Sequence, residues 1–248
     1  MRTIKNYRGT RELTKAQDDA ISLLLEGKEV DVNALSAVDK TTIGFCYHKG
    51  CYLEQDFGKA IDWFLLAAEE NWHDAERNLG ICYKEGQGVE VDYGKSAYWL
   101  ERAAIHGDAN AMSFIAEMYY NGVGVNKDEE KAWSWMNKAM ESAVETKDGF
   151  LLAWFGDQYH YGNGMFEKNL EKAKDFYFDA AELDSPLAIL RLSAMIRQGE
   201  IDLDEEDADY LLASVIENHK DTVDDMLRFY RERKAMKDKE SQSEKTEE

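Results

Sequence analysis

Five histidines (His48, His73, His106, His160 and His219), three cysteines (Cys46, Cys51 and Cys82) and fifty acidic residues are the side chains from which a reactive site would be built here. Metal-dependent hydrolysis asks for a His-Glu-x-x-His helix turn, structural zinc for paired Cys-x-x-Cys, and acyl transfer for Gly-x-Ser-x-Gly. None of these spacings occurs. Three cysteines are an odd number with no paired spacing, which fits a reducing compartment. Reading Asp202 as the first ligand of a calcium loop places Asp207 at the glycine position and Ala213 where the bidentate glutamate belongs. That stretch is therefore read as a solvated, acidic helix start. No carboxylate stands alone in an apolar setting that would raise its pKa, and no nucleophile has an evident base. The expectation is a protein with no catalytic residues, no cofactor and no metal.

One further chemical reading, of the glycine pair in Gly86-Gln87-Gly88, is a phosphate-binding loop. Its surroundings assign it otherwise. "IGFCYHKGCYLEQDFGKAIDWFLLAA" (43–68), "LGICYKEGQGVEVDYGKSAYWLERAA" (79–104) and "IAEMYYNGVGVNKDEEKAWSWMNKAM" (115–140) align without gaps at a period of 36 residues. Tyr47, Tyr83 and Tyr119 coincide, as do Gly50, Gly86 and Gly122, Asp56, Asp92 and Asp128, and Trp63, Trp99 and Trp135. A fourth copy (155–181) follows an insertion of four residues near 141–150, and a fifth (192–217) keeps only traces of the pattern. Each unit reads as two antiparallel helices. Ala75, Leu79, Gly80 and Tyr83 form a buried stripe, with Gly80 admitting the partner helix. Gly86 closes the first helix in the left-handed conformation, Gly88 turns the connection, and Asp92 caps the second helix. A phosphate loop would follow a strand and occur once; this turn recurs with every helix pair.

The pattern resembles the Sel-one-like repeat family, a relative of the tetratricopeptide solenoids. Its signature appears here as Ala75, Leu79, Gly80, Tyr83, Gly86, Gly88, Val89, Asp92, Lys95, Trp99, Ala103 and Ala104. Ser96 stands where the family has alanine, and Tyr52 stands where the first copy should have its second loop glycine. The resemblance implies an all-α, right-handed superhelical α-solenoid of about five helix-hairpin repeats with capping helices, whose first helices line a concave face. It also implies an adaptor or scaffold role. Cysteine-rich secreted relatives have been associated with β-lactam binding or hydrolysis, but their per-repeat cysteine pairs are missing. Cys46 and Cys82 share a repeat position and read as core filler.

The expected organisation is a capping segment over 1–36 with a helix from 11 to 26, and repeats over 37–72, 73–108, 109–148, 149–185 and a degenerate 186–218. A second capping helix is expected over 219–233 and a disordered charged tail over 234–248. A single proline favours helix. The N-terminal residues carry neither the apolar core nor the cleavage site of a signal peptide, and no run is long enough to span a membrane. The expected location is cytoplasmic.

A net charge of −20 disfavours nucleic acid and anionic membranes and favours a basic protein partner. Residues 199–225 concentrate eleven acidic residues against one lysine. Counting from Ala75, positions 4, 7 and 10 of the first helices point away from the buried stripe. They supply Phe114, Glu117 and Tyr120 in the third copy, and Trp154, Asp157 and His160 in the fourth. Aromatic rings beside carboxylates suit a partner with apolar and basic groups; the alternative is that the rings pack against neighbouring repeats. His48 and His160 share a repeat position three copies apart, too far for a metal pair. The expected function is a non-catalytic adaptor or scaffold binding its partner on the concave face. The alternative is a cytoplasmic immunity or inhibitor protein neutralising a basic toxin, and β-lactam binding or hydrolysis stands behind both.

Overall fold

A computed structural model describes residues 2–6, 9–202, 206, 208–210 and 213. The expected capping helix at 219–233, the tail from 234 and most of the acidic stretch at 199–225 lie outside the described residues. The chain divides into two compact units, 1–146 and 147–248.

The first unit opens with a feature the sequence reading did not foresee. Strands β1 (Thr3–Asn6) and β2 (Gly9–Glu12) pair antiparallel, Thr3 opposite Glu12. Four-residue strands are too short to register as a period-two pattern. Helix α1 consequently runs from Lys15 to Leu25 rather than from residue 11. It begins in a capping box, in which the Thr14 hydroxyl accepts the Gln17 N–H and the Gln17 side chain accepts the Thr14 N–H. Gln17, fully buried, also donates to Asp39 at 2.9 Å, and Asp39 belongs to the capping box that starts α2. The two helix starts are thereby tied together. Burial alone would raise the Asp39 pKa; hydrogen bonds from Ser36, Gln17 and Thr14 outweigh it and hold the carboxyl below its ordinary value.

Three helix pairs follow in this unit: α2 (Ala37–Lys49) with α3 (Phe57–Ala68), α4 (His73–Glu85) with α5 (Tyr93–Ile105), and α6 (Ala109–Asn121) with α7 (Glu129–Glu145). The architecture is the expected all-α helical repeat. Gly50, Gly86 and Gly122 cap the first helices at φ near +70°. A methyl on Gly80 would meet the Leu100 side chain at 2.6 Å, so the two helices of the pair touch only because it is absent. The inserted residues lengthen α7 to 17 residues, against 13 in α5, by one helical turn.

Each hairpin is closed by the same three contacts, which explain the recurring tyrosine, aspartate and lysine. In the second repeat, the Asp92 N–H donates to the Tyr83 carbonyl at 2.9 Å. The Asp92 side chain accepts the Lys95 N–H at 2.9 Å, and the Lys95 ammonium lies 5.3 Å from the Tyr83 ring centre. The set recurs at Asp56, Lys59 and Tyr47, and at Asp128, Lys131 and Tyr119. Such a cation over a ring is worth about 0.5–1 kcal/mol at an exposed site.

The second unit holds α8 (Gly149–Tyr161), α9 (Leu170–Ala181) and α10 (Pro186–Arg197). Asn169 replaces the capping aspartate, and its N–H bonds to the Tyr159 carbonyl at 2.8 Å. The extra residue in this loop accompanies two buried side chains, Met165 and Phe166, the latter edge-on to Tyr159 at 4.9 Å.

Candidate protein-binding surface

Residues three apart on a helix share a face, so α6 presents Phe114, Glu117 and Tyr120 together, each half-buried. Lys84, from the end of α4, holds its ammonium 5.3 Å from the Phe114 ring centre. Lys127 does the same over Tyr120 at 5.4 Å. Glu117 differs from the sequence expectation that no carboxylate lies in an apolar setting. Burial raises its pKa, the charge of Lys84 offsets this only in part, and its carboxylate has no hydrogen bond or ion pair among the described residues. A carboxylate stripped of water and not fully compensated gains from an incoming cation. Lys84, which the sequence reading passed over, is the charged neighbour of this group; its place at position 10, one repeat before Tyr120, was the available signal.

The same face is covered at the start of the array. Arg11, from β2, donates to the Thr42 hydroxyl at 2.8 Å, and Thr42 is buried at position 4 of the first repeat. His48, at position 10 of that repeat, bonds to Gln87 at 2.6 Å and packs against Phe57. Burial lowers its pKa, and it is committed to these contacts.

In the second unit, α8 carries Trp154, Asp157 and His160. Trp154 stays half-buried, edge-on to Phe155 and Phe166. Asp157 instead accepts the Tyr177 hydroxyl at 2.6 Å and the Arg191 guanidinium at 2.7 and 3.2 Å, joining α8 to α9 and α10. Burial and this carboxylate hold the Tyr177 phenol protonated. His160 is buried at 9% exposure, its Nε2 3.6 Å from the Glu200 carboxylate. Asp157 and His160 thus turn into their own unit, toward Arg191 of α10 and toward Glu200 just beyond it, within the expected degenerate repeat over 186–218. Phe114, Glu117, Tyr120 and Trp154 keep part of their surface.

A buried charged cluster joins the second repeat to the third. Arg77 pairs with Asp108 and, at 2.8 Å, with Asp74; His73 Nδ1 lies 3.3 Å from Asp108. Asp108 also caps α6 through the Ala111 N–H at 2.7 Å. Beside it, the fully buried Glu76 faces Arg102 at 2.8 Å and His106 at 2.7 Å. His73, Asp74 and Asp108 bring three ligand atoms within 4.8 Å of one another. Arg77 pairs with both carboxylates, so a guanidinium already neutralises the charge that a cation would seek.

Among the described residues no helix is long and apolar enough to cross a membrane. The Sel1 repeat family model matches residues 43–72, 73–108, 109–142 and 150–185. Among solved structures, the chain is similar to a Sel1 repeat protein from Oxalobacter formigenes at 27% identity and a TM-score of 0.62, over 82% of this chain and 84% of that one. It also resembles c5321, a protective antigen present in uropathogenic Escherichia coli strains that displays an SLR fold. There the identity is 23% and the TM-score 0.51, over 74% of this chain and 42% of that one. A sel1 repeat protein from Klebsiella pneumoniae subsp. pneumoniae matches at 18% identity and a TM-score of 0.51, over 81% and 96% of the two chains. The last two likenesses carry the fold alone. No curated protein matches the chain.

Proposed function

The chain belongs to the Sel1 repeat family, generally a non-catalytic protein–protein interaction scaffold, and from that premise we propose that it binds a basic protein partner through the open face of α6. The observation that carries this reading is Glu117: a partly desolvated carboxylate, flanked one turn away on each side by Phe114 and Tyr120. A lysine or arginine of the partner would take the place of Lys84 beside it, while the two rings supply apolar contact. The net charge of −20 would steer such a partner toward the chain. In the second unit, the exposed part of Trp154 offers an anchor of the same kind. An inhibitor of a basic toxin is one form this function would take, and the cytoplasm is its proposed location.

The test is charge reversal. Glu117→Lys should abolish recovery of the partner from native extract, whereas Glu141→Lys, on exposed α7 surface, should leave recovery intact. Equal recovery by both variants would contradict the assignment.

A further inference from the structure

Every described first helix that ends in a left-handed glycine closes its last turn with the same long hydrogen bond. The Cys51 N–H donates to the Cys46 carbonyl at 3.0 Å, Gln87 to Cys82 at 3.0 Å, Val123 to Met118 at 3.0 Å and Asn163 to Gln158 at 3.2 Å. This closure frequently carries a contact between the side chains of the two bonded residues. The residues so bonded are Cys82 with Gln87, Met118 with Val123 and Gln158 with Asn163. In the first repeat the pair is two cysteines. A spacing of five matches no metal or disulfide motif, which is why the sequence reading saw no pair; the helix cap is what brings these residues together.

The geometry suits a covalent bond. A 3.0 Å bond between the main chains of Cys46 and Cys51 brings the two backbones together, and a disulfide bridges α-carbons roughly 4.4–6.8 Å apart. Both side chains belong to one apolar cluster, Cys46 fully buried and Cys51 partly exposed, and each thiol shifts the other's pKa. We propose that Cys46 and Cys51 form a reversible dithiol–disulfide switch, with Cys51 oxidised by a hydroperoxide and Cys46 resolving the product.

The division of labour follows from position. Cys51 reaches solvent; the neighbouring Cys46 thiol, with the charge of Lys49, brings its pKa down to about 7 against the effect of burial. Cys46, buried and facing that thiolate, is pushed up and keeps its proton. The Cys51 thiolate attacks the peroxide, forming an S–O bond and breaking O–O, and the alcohol or water leaves with a proton. Cys46 then attacks the Cys51 sulfur and gives up its own proton. S–S forms, S–O breaks, and the hydroxyl leaves as water. Two thiols lose two electrons and the peroxide gains them; an external dithiol reverses the step. The bridge would fix the turn that carries Tyr52, whose hydroxyl exchanges hydrogen bonds with the main chain of Thr3. The redox state of the pair would thereby set how firmly the N-terminal hairpin is anchored.

The full-length protein treated with one equivalent of hydrogen peroxide, blocked with N-ethylmaleimide and digested with trypsin tests this directly. Cleavage after Lys49 separates 41–49 from 50–59, so the switch predicts these two peptides joined by a bond that dithiothreitol breaks, with Cys82 carrying the maleimide. In Cys46→Ala, the Cys51 sulfenic acid should persist and be trapped by dimedone. Unlinked peptides with Cys51 as sulfinic acid, links between two chains, or equal maleimide labelling of all three cysteines after peroxide would overturn the proposal. If the variant fails to fold, the peptide map of the unaltered protein decides alone.

Discussion

A methyl group on Gly88 would lie 2.7 Å from the carbonyl carbon of Phe57. Phe57 opens the second helix of the preceding repeat, so this second loop glycine is a contact between repeats. Gly124 approaches Tyr93 in the same way. The first repeat has no predecessor, and there the position is taken by Tyr52, at the same left-handed φ of 68°. Its hydroxyl holds the N-terminal hairpin instead of a neighbouring repeat. A departure from the family pattern is explained by the end of the array.

Gly88→Ala should therefore destabilise the first unit by about 3 kcal/mol, since backbone must move as well as φ. Gly107→Ala is the control. Its φ of +95° is also unfavourable, but its methyl would meet nothing within 4 Å, so about 1–2 kcal/mol is expected. Urea denaturation of the two variants measures the difference, and equal losses would mean that φ alone makes the glycine necessary.

The cluster at the second interface between repeats should give stability a maximum in pH. The hydrogen bond to Asp108 raises the His73 pKa above its ordinary 6.5 in spite of burial. Its contribution is then full below 6.5 and is lost as pH rises through the folded value. For Asp108, burial would raise the pKa, but His73, Arg77 and the Ala111 N–H together hold it below 3.8. Its contribution is full above 3.8 and is lost as pH falls through the folded value. Urea midpoints from about pH 3 to 9 should rise and then fall, and His73→Gln should remove the decline on the alkaline side and lessen the one on the acidic side, where Arg77 and the Ala111 N–H still lower the Asp108 pKa.

Asp157→Asn should loosen the second unit. It weakens the acceptor shared by Tyr177 and Arg191 and leaves the guanidinium without its counter-charge, a change worth about 2–3 kcal/mol. Hydrogen exchange should quicken in α8, α9 and α10. Unchanged protection there would show that the clamp contributes little.

Partner binding should itself depend on pH through Glu117. Its raised pKa means that the carboxylate protonates earlier on acidification than an exposed glutamate would, and a neutral group no longer attracts a cation. Affinity should fall as pH drops through that value. Glu117→Gln should be weak at every pH, with the acidic loss flattened.

Much of the fold was legible because repetition multiplies weak signals. One glycine pair is ambiguous, but Gly86, Gly122 and Gly50 at equal spacing identify a helix end, and Asp56, Asp92 and Asp128 identify the next start. The N-terminal hairpin was not legible, because it occurs once and its strands are too short to show a period. The surface was legible in part. Phe114, Glu117, Tyr120 and Trp154 follow from helical spacing alone. Asp157 and His160 have that spacing too, yet Asp157 is held by Arg191 of α10 and His160 lies beside Glu200, just past that helix, both from a repeat that keeps only traces of the pattern. The Cys46–Cys51 contact depends on a hydrogen bond across a helix cap, which residue counting does not reveal.

The central claim, a repeat scaffold that grips a protein partner through one helix face, is tested most directly by quantitative affinity purification from native extract. The unaltered chain is compared with Phe114→Ala/Tyr120→Ala, at low and at high salt. The double variant should fold normally and lose the partner, by at least about tenfold if each ring contributes even 1 kcal/mol, and the unaltered chain should release it as salt rises. Undiminished recovery by the folded double variant would contradict the account.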